Sequence, residues 1–352
     1  MKNQKPSAHL SDSNFFVSGL LLISLLLPCH LALASDKMAS IFANRGFDPE
    51  QVVIPHCCDE FPYERLEKVS FKALATFDLF PEGPSYRPAD DSWFFAGNNA
   101  LSRVDRSGAV EVLMEKPGAG GTHFLPDGSI LVIGKVGLRR VFPDGKVALL
   151  VDGEEIGPGN DITMGRYQEV YFTVPSKGIY RLTPGKEGRV ERVIEEGANG
   201  LDVDPTGRYL FVARKSVERY MINGPDLPLG EAQTIYTFPE GKGGGDGCTF
   251  DAHGNFYTVH FKTGLIRVIS PQERDLIGEI QTGVAPASNL TFGGPNNTQL
   301  LVTAGAPKFA NCQVLLTDLG VTGFCGHAGA TEYPVLRWLE EEVAFPQFVA
   351  GE

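Results

Sequence analysis

Short apolar runs alternate with turn-forming residues along most of the chain. Six times, a turn rich in Gly, Pro, Asp or Asn precedes five to seven β-branched or aromatic residues. This combination is typical of a β-hairpin. The turns lie near residues 90, 128, 167, 207, 254 and 297, at intervals of 38 to 47 residues, and helical periodicity is nearly absent between residues 76 and 335.

This repeat predicts an all-β fold, a six-bladed β-propeller with a short N-terminal extension. Six units of about forty residues, each with about four short strands, match the blades of such a ring. The alternative is a β-sandwich or two small β-domains. A single propeller, however, accounts for the whole repetitive stretch as one domain.

The N-terminal region has the features of a secretory signal peptide. Lys2 and Lys5 precede an apolar run that ends at Ala32-Leu33-Ala34, the pattern of a charged region, an apolar region and a cleavage site. The run is also near the length that spans a bilayer, so an uncleaved membrane anchor is the alternative. We therefore expect a secreted, periplasmic or otherwise extracytoplasmic protein, which contacts a membrane only if this segment is uncleaved.

The predicted domain organisation has four parts. A signal peptide occupies residues 1–34, an N-terminal extension residues 35–75, the propeller residues 76–335 and an acidic tail residues 336–352. The 41 glycines and 24 prolines form about 18% of the chain, against roughly 12% in an average protein. This composition excludes long helical bundles and coiled coils. The net charge of -12 provides no basic surface for nucleic acid.

Cysteine usage fits an oxidising compartment, where disulfides are permitted. Cleavage of the signal peptide would leave five cysteines, an odd number. We predict a bond between Cys312 and Cys325, and we expect Cys57 and Cys58 to pair with each other or elsewhere. Cys248 is the predicted free thiol.

A polar residue also recurs about seven residues before each turn. These residues are Glu82, His123, Asn160, Asn199, Asp246 and Asn289. Their spacing of 37 to 47 residues follows the period of the turns. The innermost strand of each propeller blade lines the central channel, so we expect the six side chains to meet at one end of it. Asn-Gly and Asp-Gly are also turn dipeptides, which is the alternative for any one position taken alone.

Two carboxylates and several amide oxygens in one ring predict a cation site. Buried carboxylates are costly without a positive partner, and a cage of oxygen ligands suits Ca²⁺, with Mg²⁺ or Mn²⁺ as competitors and Zn²⁺ less favoured. The predicted ligands are Glu82, Asn160, Asn199 and Asp246. The residues predicted to contact a substrate are Asn160, His123, Asn289 and His260. His260 is included because it follows Asp246 on the next strand, although it could equally be a half-buried surface histidine.

The chain resembles the senescence-marker-protein, gluconolactonase and luciferin-regenerating-enzyme family of six-bladed propellers. The resemblance covers about residues 76–308 and rests on four segments in order, with a fifth, residues 288–305, similar to the last blade of the family. The four segments are residues 82–97, 157–173, 197–213 and 243–259.

The resemblance implies a divalent metal at the mouth of the channel. The family pattern places its carboxylate ligands at Glu82 and Asp246 and its carboxamides at Asn160 and Asn199. In members with lactonase or phosphotriesterase activity the metal polarises the substrate C=O or P=O bond, and the residue matching Asp246 is assigned as base or nucleophile. Sugar-lactone hydrolases of the family often have an arginine where this chain has Pro158, which argues against a polyhydroxylated sugar lactone.

The sequence therefore predicts a secreted metal-dependent hydrolase that opens a lactone or related ester, with Asp246 deprotonating the attacking water. One alternative is a non-catalytic propeller that binds a ligand or protein partner around a structural Ca²⁺; another is a phosphotriesterase-like hydrolase. No G-x-S-x-G motif, P-loop or dinucleotide-binding motif is present, so these common catalytic classes are not supported.

Overall fold

The computed structural model describes residues 63–324 and 326, apart from residues 79, 98–99, 116–118, 184–187, 242 and 306–310. The predicted signal peptide (residues 1–34), the acidic tail (residues 336–352) and Cys57, Cys58 and Cys325 lie outside this range, so the signal peptide, the tail and the disulfide pairings stay predictions. No helix within the described range is long and apolar enough to span a membrane.

The described chain forms 24 strands in six four-stranded antiparallel sheets. Strand β1 (Lys72–Phe77) is the outermost strand of the sixth sheet. The first three sheets, from inner to outer strand, are β2 (Glu82–Arg87), β3 (Ser92–Gly97), β4 (Ala100–Asp105) and β5 (Val110–Glu115); β6 (Ala119–Phe124), β7 (Ile130–Gly134), β8 (Gly137–Val141) and β9 (Val147–Asp152); and β10 (Ile162–Met164), β11 (Val170–Val174), β12 (Gly178–Thr183) and β13 (Arg189–Ile194).

The other three sheets are built in the same way. They are β14 (Leu201–Val203), β15 (Tyr209–Ala213), β16 (Ser216–Met221) and β17 (Gln233–Thr237); β18 (Gly245–Phe250), β19 (Phe256–His260), β20 (Leu265–Ser270) and β21 (Asp275–Gln281); and β22 (Ala287–Gly293), β23 (Gln299–Ala304) and β24 (Cys312–Asp318), followed by β1. The helical elements within the described range are α1 (Gly153–Ile156) and 3₁₀ turns at Tyr63–Lys68, Pro88–Asp90 and Phe261–Thr263.

The arrangement is a six-bladed propeller, which confirms the predicted fold class. The innermost strands β2, β6, β10, β14, β18 and β22 contact one another in this order and close back on β2. The turn after each inner strand is the Pro-, Asp- or Gly-rich turn found in the sequence repeat. All six inner strands therefore run in the same direction along the channel, and we call the end at which they begin the upper end.

The ring is closed by strands from the two ends of the described chain. Strand β1 pairs antiparallel with β24, with Lys72 opposite Leu316 and Phe77 opposite Cys312. The sixth blade thus combines one early strand with three late ones. The predicted domain boundary at residue 76 falls inside β1. The sequence repeat does not include this strand, because its partner lies far away in the sequence.

Apolar side chains fill the space between neighbouring blades. Between blades three and four, for example, Tyr171 and Ile179 pack with Leu210 and Val212, all fully buried. Burial of one such side chain contributes roughly 1.5–3 kcal/mol. The blades therefore hold the inner strands in a fixed mutual position, which fixes the geometry of the channel.

Residues after β24 contact the lower ends of blades five and six. Gly323 forms an antiparallel bridge with Asp251, and the Phe324 amide donates to the Phe250 carbonyl over 2.8 Å. The Asn297 side chain donates to the Gly323 carbonyl over 2.6 Å. This segment lies where the inner strands end.

Candidate functional site

The upper end of the channel brings together most of the predicted polar ring. Glu82 is the first residue of β2 and Asp246 the second of β18, while Asn160 and Asn199 each lie two residues before an inner strand. Glu82, Asn160 and Asn199 are half-buried and Asp246 is buried. The equivalent position in the second blade is occupied by Gly120, so this blade adds no side chain at the same level.

Glycines allow the inner strands to approach each other closely at this level. A Cβ on Gly121 would lie 2.9 Å from both Cα and Oδ1 of Asp161. A Cβ on Gly200 would overlap the backbone of Asp246, and one on Gly83 would overlap Gly120. The glycine next to a predicted ligand is therefore what lets neighbouring blades meet, and the ring is narrow because of it.

The Glu82 carboxylate lies close to blade six as well as to its own blade. It accepts a 3.0 Å hydrogen bond from the Gly83 amide, and the polar side chains of Ser288 and Asn289 lie close enough to lower its pKa. Desolvation outweighs these donors and raises the pKa of Glu82 to about 7. The carboxyl thus stays close to its point of ionisation at neutral pH.

The negative charge of Asp246 is poorly compensated by hydrogen-bond donors. The nearby Gly247 amide and Asn199 side chain lower its pKa, but its Oδ1 atom is buried and has no hydrogen-bond partner among the described residues. Burial raises the pKa of Asp246 well above its usual range, and the charges of Glu82 and Asp161 raise it further.

Asp161 belongs to the same cluster, although the sequence analysis did not select it. It is 7% exposed and accepts a 3.0 Å hydrogen bond from the Ile162 amide. The Leu201 amide and the Asn289 side chain lie close enough to lower its pKa. Desolvation, followed by the nearby charge of Glu82, raises the pKa of Asp161 to about 7. The signal in the sequence was a carboxylate next to Asn160 at the start of a buried strand.

Thr173 fixes the backbone around two of the predicted amide ligands. Its hydroxyl donates to the Asn199 carbonyl over 2.8 Å and accepts from the Asp161 amide over 2.9 Å. The Asn160 amide donates to the Thr173 carbonyl over 2.9 Å. One buried residue of β11 therefore sets the relative height of the segments that carry Asn160 and Asn199.

Three buried carboxyl groups within electrostatic reach of one another form a site that a cation would stabilise. Their raised pKa values have one origin, the loss of water without a compensating positive charge. The donors are carboxylate and amide oxygens, which are the ligands that Ca²⁺ prefers. Within the described residues no group of three His, Cys, Asp or Glu side chains could hold a metal ion by itself, so the amides of Asn160 and Asn199 would be needed to complete the set.

His123 lies deeper in the channel than its place in the sequence repeat suggested. Strand register places it level with Asp202 and Thr163, because His123 pairs with Leu131 one residue before the end of β6, as Asp202 pairs with Phe211 before the end of β14. The predicted alignment of His123 with the ligand ring was therefore wrong. In this blade His123 is the nearest polar residue before the turn, whereas Gly120 lies at the height of the ligand ring.

His260 is not at the surface of the site. It is fully buried, pairs with Gly245, and its ring lies 5.0 Å from that of Phe238. Its Nδ1 atom is 3.5 Å from the guanidinium of Arg267. The prediction that His260 contacts a substrate is therefore corrected: the ring packs in the blade behind Gly245.

Below the ring the channel contains a cavity of about 100 Å³. Its polar lining includes Asp161, Asp202, His123, Asn289 and Thr163, and the Cys248 thiol also faces it. Asp202 accepts a 2.7 Å hydrogen bond from the Thr163 hydroxyl, and desolvation raises its pKa to about 7. Cys248 is a buried free thiol, as the sequence analysis predicted. The roles assigned to the ring residues stay predictions.

Comparison with known proteins identifies the family of this propeller. The family model described as SMP-30/Gluconolactonase/LRE-like region matches residues 80–306. Curated proteins gave no match. Among solved structures, a luciferin-regenerating enzyme is 20% identical, with 70% of this chain and 94% of that chain covered and a TM-score of 0.62.

Two bacterial structures are similar to the same extent. A gluconolactonase from Xanthomonas campestris is 20% identical over 75% of this chain and 96% of its own, with a TM-score of 0.60. A calcium-binding protein, regucalcin, from Agrobacterium tumefaciens is 18% identical over 72% and 95%, with a TM-score of 0.61. At these identities the structural matches show a shared fold.

Proposed function

The chain belongs to the SMP-30/gluconolactonase/LRE-like family, and on this premise we propose that it is a metal-dependent hydrolase that opens a lactone or related carboxylic ester at the upper end of its channel. The observation that carries the proposal is the buried, unpartnered Oδ1 atom of Asp246 in a ring of oxygen donors.

The residues proposed to hold the cation are Glu82, Asn160, Asn199 and Asp246. They supply two carboxylates and two amide oxygens, a set that fits Ca²⁺ first and Mg²⁺, Mn²⁺ or Zn²⁺ as competitors. The Asn199 side chain lies close enough to Asp246 to lower the pKa of that carboxyl, so both can take part in one site. When bound, the cation would supply Lewis acidity toward the ester carbonyl oxygen.

Asp246 is the proposed general base. The family resemblance assigns this role to the residue that matches Asp246. Its Oδ1 atom has no competing donor in the described part of the chain, so this atom can accept the proton of the attacking water. Asn160 is half-buried beside it and is proposed to orient the ester oxygen as negative charge develops there.

The proposed substrate is a small molecule that enters from the upper end. Residues 322–324 pack against the lower ends of blades five and six, and the cavity below the ring is too small for more than a few water molecules. Pro158, exposed beside the ring, replaces a donor that polyhydroxylated sugar lactones would use. The N-terminal segment leads us to propose an extracytoplasmic site of action.

The experiment that tests this function is metal analysis of the purified protein combined with a hydrolysis screen. The protein and its Asp246→Asn and Glu82→Gln variants would be assayed on lactones, aryl esters and phosphotriesters, with and without a chelator. We expect the lactone or ester activity to need the metal and to fall at least 100-fold in Asp246→Asn, since general-base catalysis contributes about 10²–10⁴-fold.

Three outcomes would contradict parts of the proposal. Unchanged turnover in Asp246→Asn with the metal still bound would remove the role of Asp246. Metal binding that raises thermal stability without hydrolysis of any substrate would favour the non-catalytic propeller. Hydrolysis of phosphotriesters alone would assign the same residues to a different substrate class.

A further inference from the structure

Lysines recur at one position of the upper end. In blades two to five, the turn between the second and third strands lies at this end and contains a lysine and no acidic residue. The four side chains, all exposed, are Lys135, Lys177, Lys215 and Lys262. The net charge of the chain is -12, so these repeated cations run against the overall charge, at the end that holds the candidate site.

Lys177 and Lys262 lie against the two glycine segments that lead into the ring. The Lys177 Nζ atom donates to the Glu155 carbonyl over 3.2 Å and is 3.6 Å from the position that a Cβ on Gly157 would occupy. The Cδ atom of Lys262 is 3.4 Å from the equivalent position at Gly243. The two glycines have φ values of 92° and 94°, so blades three and five use the same arrangement.

Both glycines precede a proposed cation ligand by three residues. Asn160 follows Gly157, and Asp246 follows Gly243, at this spacing. Three residues of extended chain span at most about 11 Å, which is comparable to the screening length of about 8 Å in physiological salt. The charges of the two lysines therefore act on a molecule bound at the ring, and they act more strongly in dilute salt.

These cations are not neutralised locally. Within the described part of the chain none of the four lysines forms an ion pair, whereas the exposed Lys146 at the lower end pairs with Asp144 over 3.0 Å. Most acidic side chains described at the upper end lie at or just after the end of an outermost strand, on the outside of the ring. They are Asp78, Asp152, Glu154, Glu155, Glu195 and Glu240.

Blade four differs from its two neighbours. The residue three positions before Asn199 is Glu196 instead of glycine, and its side chain is exposed. This negative charge offsets that of Lys215 in the same blade. The uncompensated charges beside the ring are therefore those of Lys177 and Lys262, on either side of blade four.

We propose that Lys177 and Lys262 select a substrate with a negative charge away from the bond that is hydrolysed, an anionic lactone or ester that bears a carboxylate. The inference rests on the proposed function, because it specifies the substrate class of the same site. A lysine ammonium is a compact charge on a flexible stem, so the pair selects for charge and tolerates different shapes of the anionic group.

The test compares two γ-lactones, one with a carboxylate on the ring and one with a carboxamide in the same place. They differ by one charge and hardly in shape. We expect the parent protein to have the higher kcat/KM for the carboxylate, with a preference that shrinks as salt rises from about 20 mM to about 300 mM. In Lys177→Gln/Lys262→Gln the preference should fall at least about fivefold. Lys177→Arg/Lys262→Arg keeps both charges and should keep it.

A matched control is available at the lower end. Lys72 begins β1, and Lys146 lies in the turn between β8 and β9; both are exposed. The double variant Lys72→Gln/Lys146→Gln changes the net charge by the same amount, far from the ring, and should keep the preference of the parent protein. Circular dichroism verifies that each variant is folded.

The outcomes separate this inference from the proposed function. Equal kcat/KM values for the two lactones in the parent protein would overturn the role of the lysines and leave the hydrolase function intact. Equal losses of preference in the upper and lower double variants would do the same. Absence of hydrolysis of any substrate would overturn the proposed function. Calorimetric titration with the two lactones then measures the preference without turnover, and equal affinities would overturn the inference as well.

Discussion

Cation affinity should depend steeply on pH above the range in which ordinary carboxyl groups titrate. A cation binds the ionised form of its ligands, and binding therefore releases protons below the ligand pKa. The pKa of Glu82 in the metal-free protein is about 7 instead of 4.5. From this group alone the dissociation constant of Ca²⁺ should rise about tenfold between pH 8 and pH 6, and about 100-fold by pH 5.

A ligand at the ordinary pKa of 4.5 would change the dissociation constant only about 1.3-fold at pH 5. The raised pKa of Asp246 makes the expected dependence steeper still. The assay is calorimetric titration with Ca²⁺ from pH 8 to pH 5, in buffers of different ionisation enthalpy so that released protons are counted. Circular dichroism at each pH verifies that the protein is folded.

Glu82→Gln is the control, because glutamine keeps the shape and one oxygen but cannot titrate. It should bind Ca²⁺ more weakly at pH 8 and show a shallower pH dependence than the parent protein. A dissociation constant that stays constant between pH 8 and pH 6 in the parent protein would refute the reasoning, since it would mean that both carboxylates are fully ionised without the cation.

Two further predictions concern stability. The pKa of Glu82 is 4.5 in the unfolded chain and about 7 in the folded protein, so the folded state binds the proton more tightly. The metal-free protein should therefore lose stability as the pH rises from 4.5 to 7, and Ca²⁺ should restore it. Equal melting temperatures at pH 5.5 and pH 8 would contradict this. Arg181 and Arg189 both pair with Glu191, with side chains 1% and 66% exposed. Because Arg189 and water still reach Glu191 when Arg181 is removed, Arg181→Ala should cost about 1.5–3 kcal/mol through its lost charged hydrogen bonds, and Arg189→Ala less than about 1 kcal/mol. Urea unfolding measures both, and similar costs would show that burial does not control this pair.

The fold was predictable because the sequence features that specify each blade are local and recur six times. Each hairpin is encoded by a turn and a neighbouring apolar run, and the period of the repeat sets the number of blades. The closing strand β1 was not predicted, because it pairs with β24, a partner with no local signal. Its alternation of exposed and half-buried residues is also too weak to identify a strand.

The positions in the site were predictable where strand register follows the sequence repeat. Asn160, Asn199 and Asp246 lie at the same height, each two residues before an equivalent paired residue of its inner strand. Asn289 lies one residue deeper, directly before Leu290 and level with Asp161. His123 was misplaced because the polar residue and the equivalent height do not coincide in the glycine-rich second blade.

Two other features of the site depend on three-dimensional contacts. Asp161 was missed because a carboxylate beside an asparagine has no distinct signal until the other carboxylates are placed around it. The unpartnered Oδ1 atom of Asp246 depends on the arrangement of blades that are distant in sequence.

The closure of the ring has a consequence for the order in which the molecule is assembled. The Ser288 hydroxyl donates to the Pro81 carbonyl over 3.2 Å across 207 residues of chain, immediately beside Glu82. During synthesis Glu82 leaves the ribosome early, whereas blade six is the last blade to be synthesised. The entropy of closing so long a loop must be overcome before these contacts form. The site is therefore complete only after blade six has packed against blade one. A ligand bound there would stabilise the contact between the first and last blades.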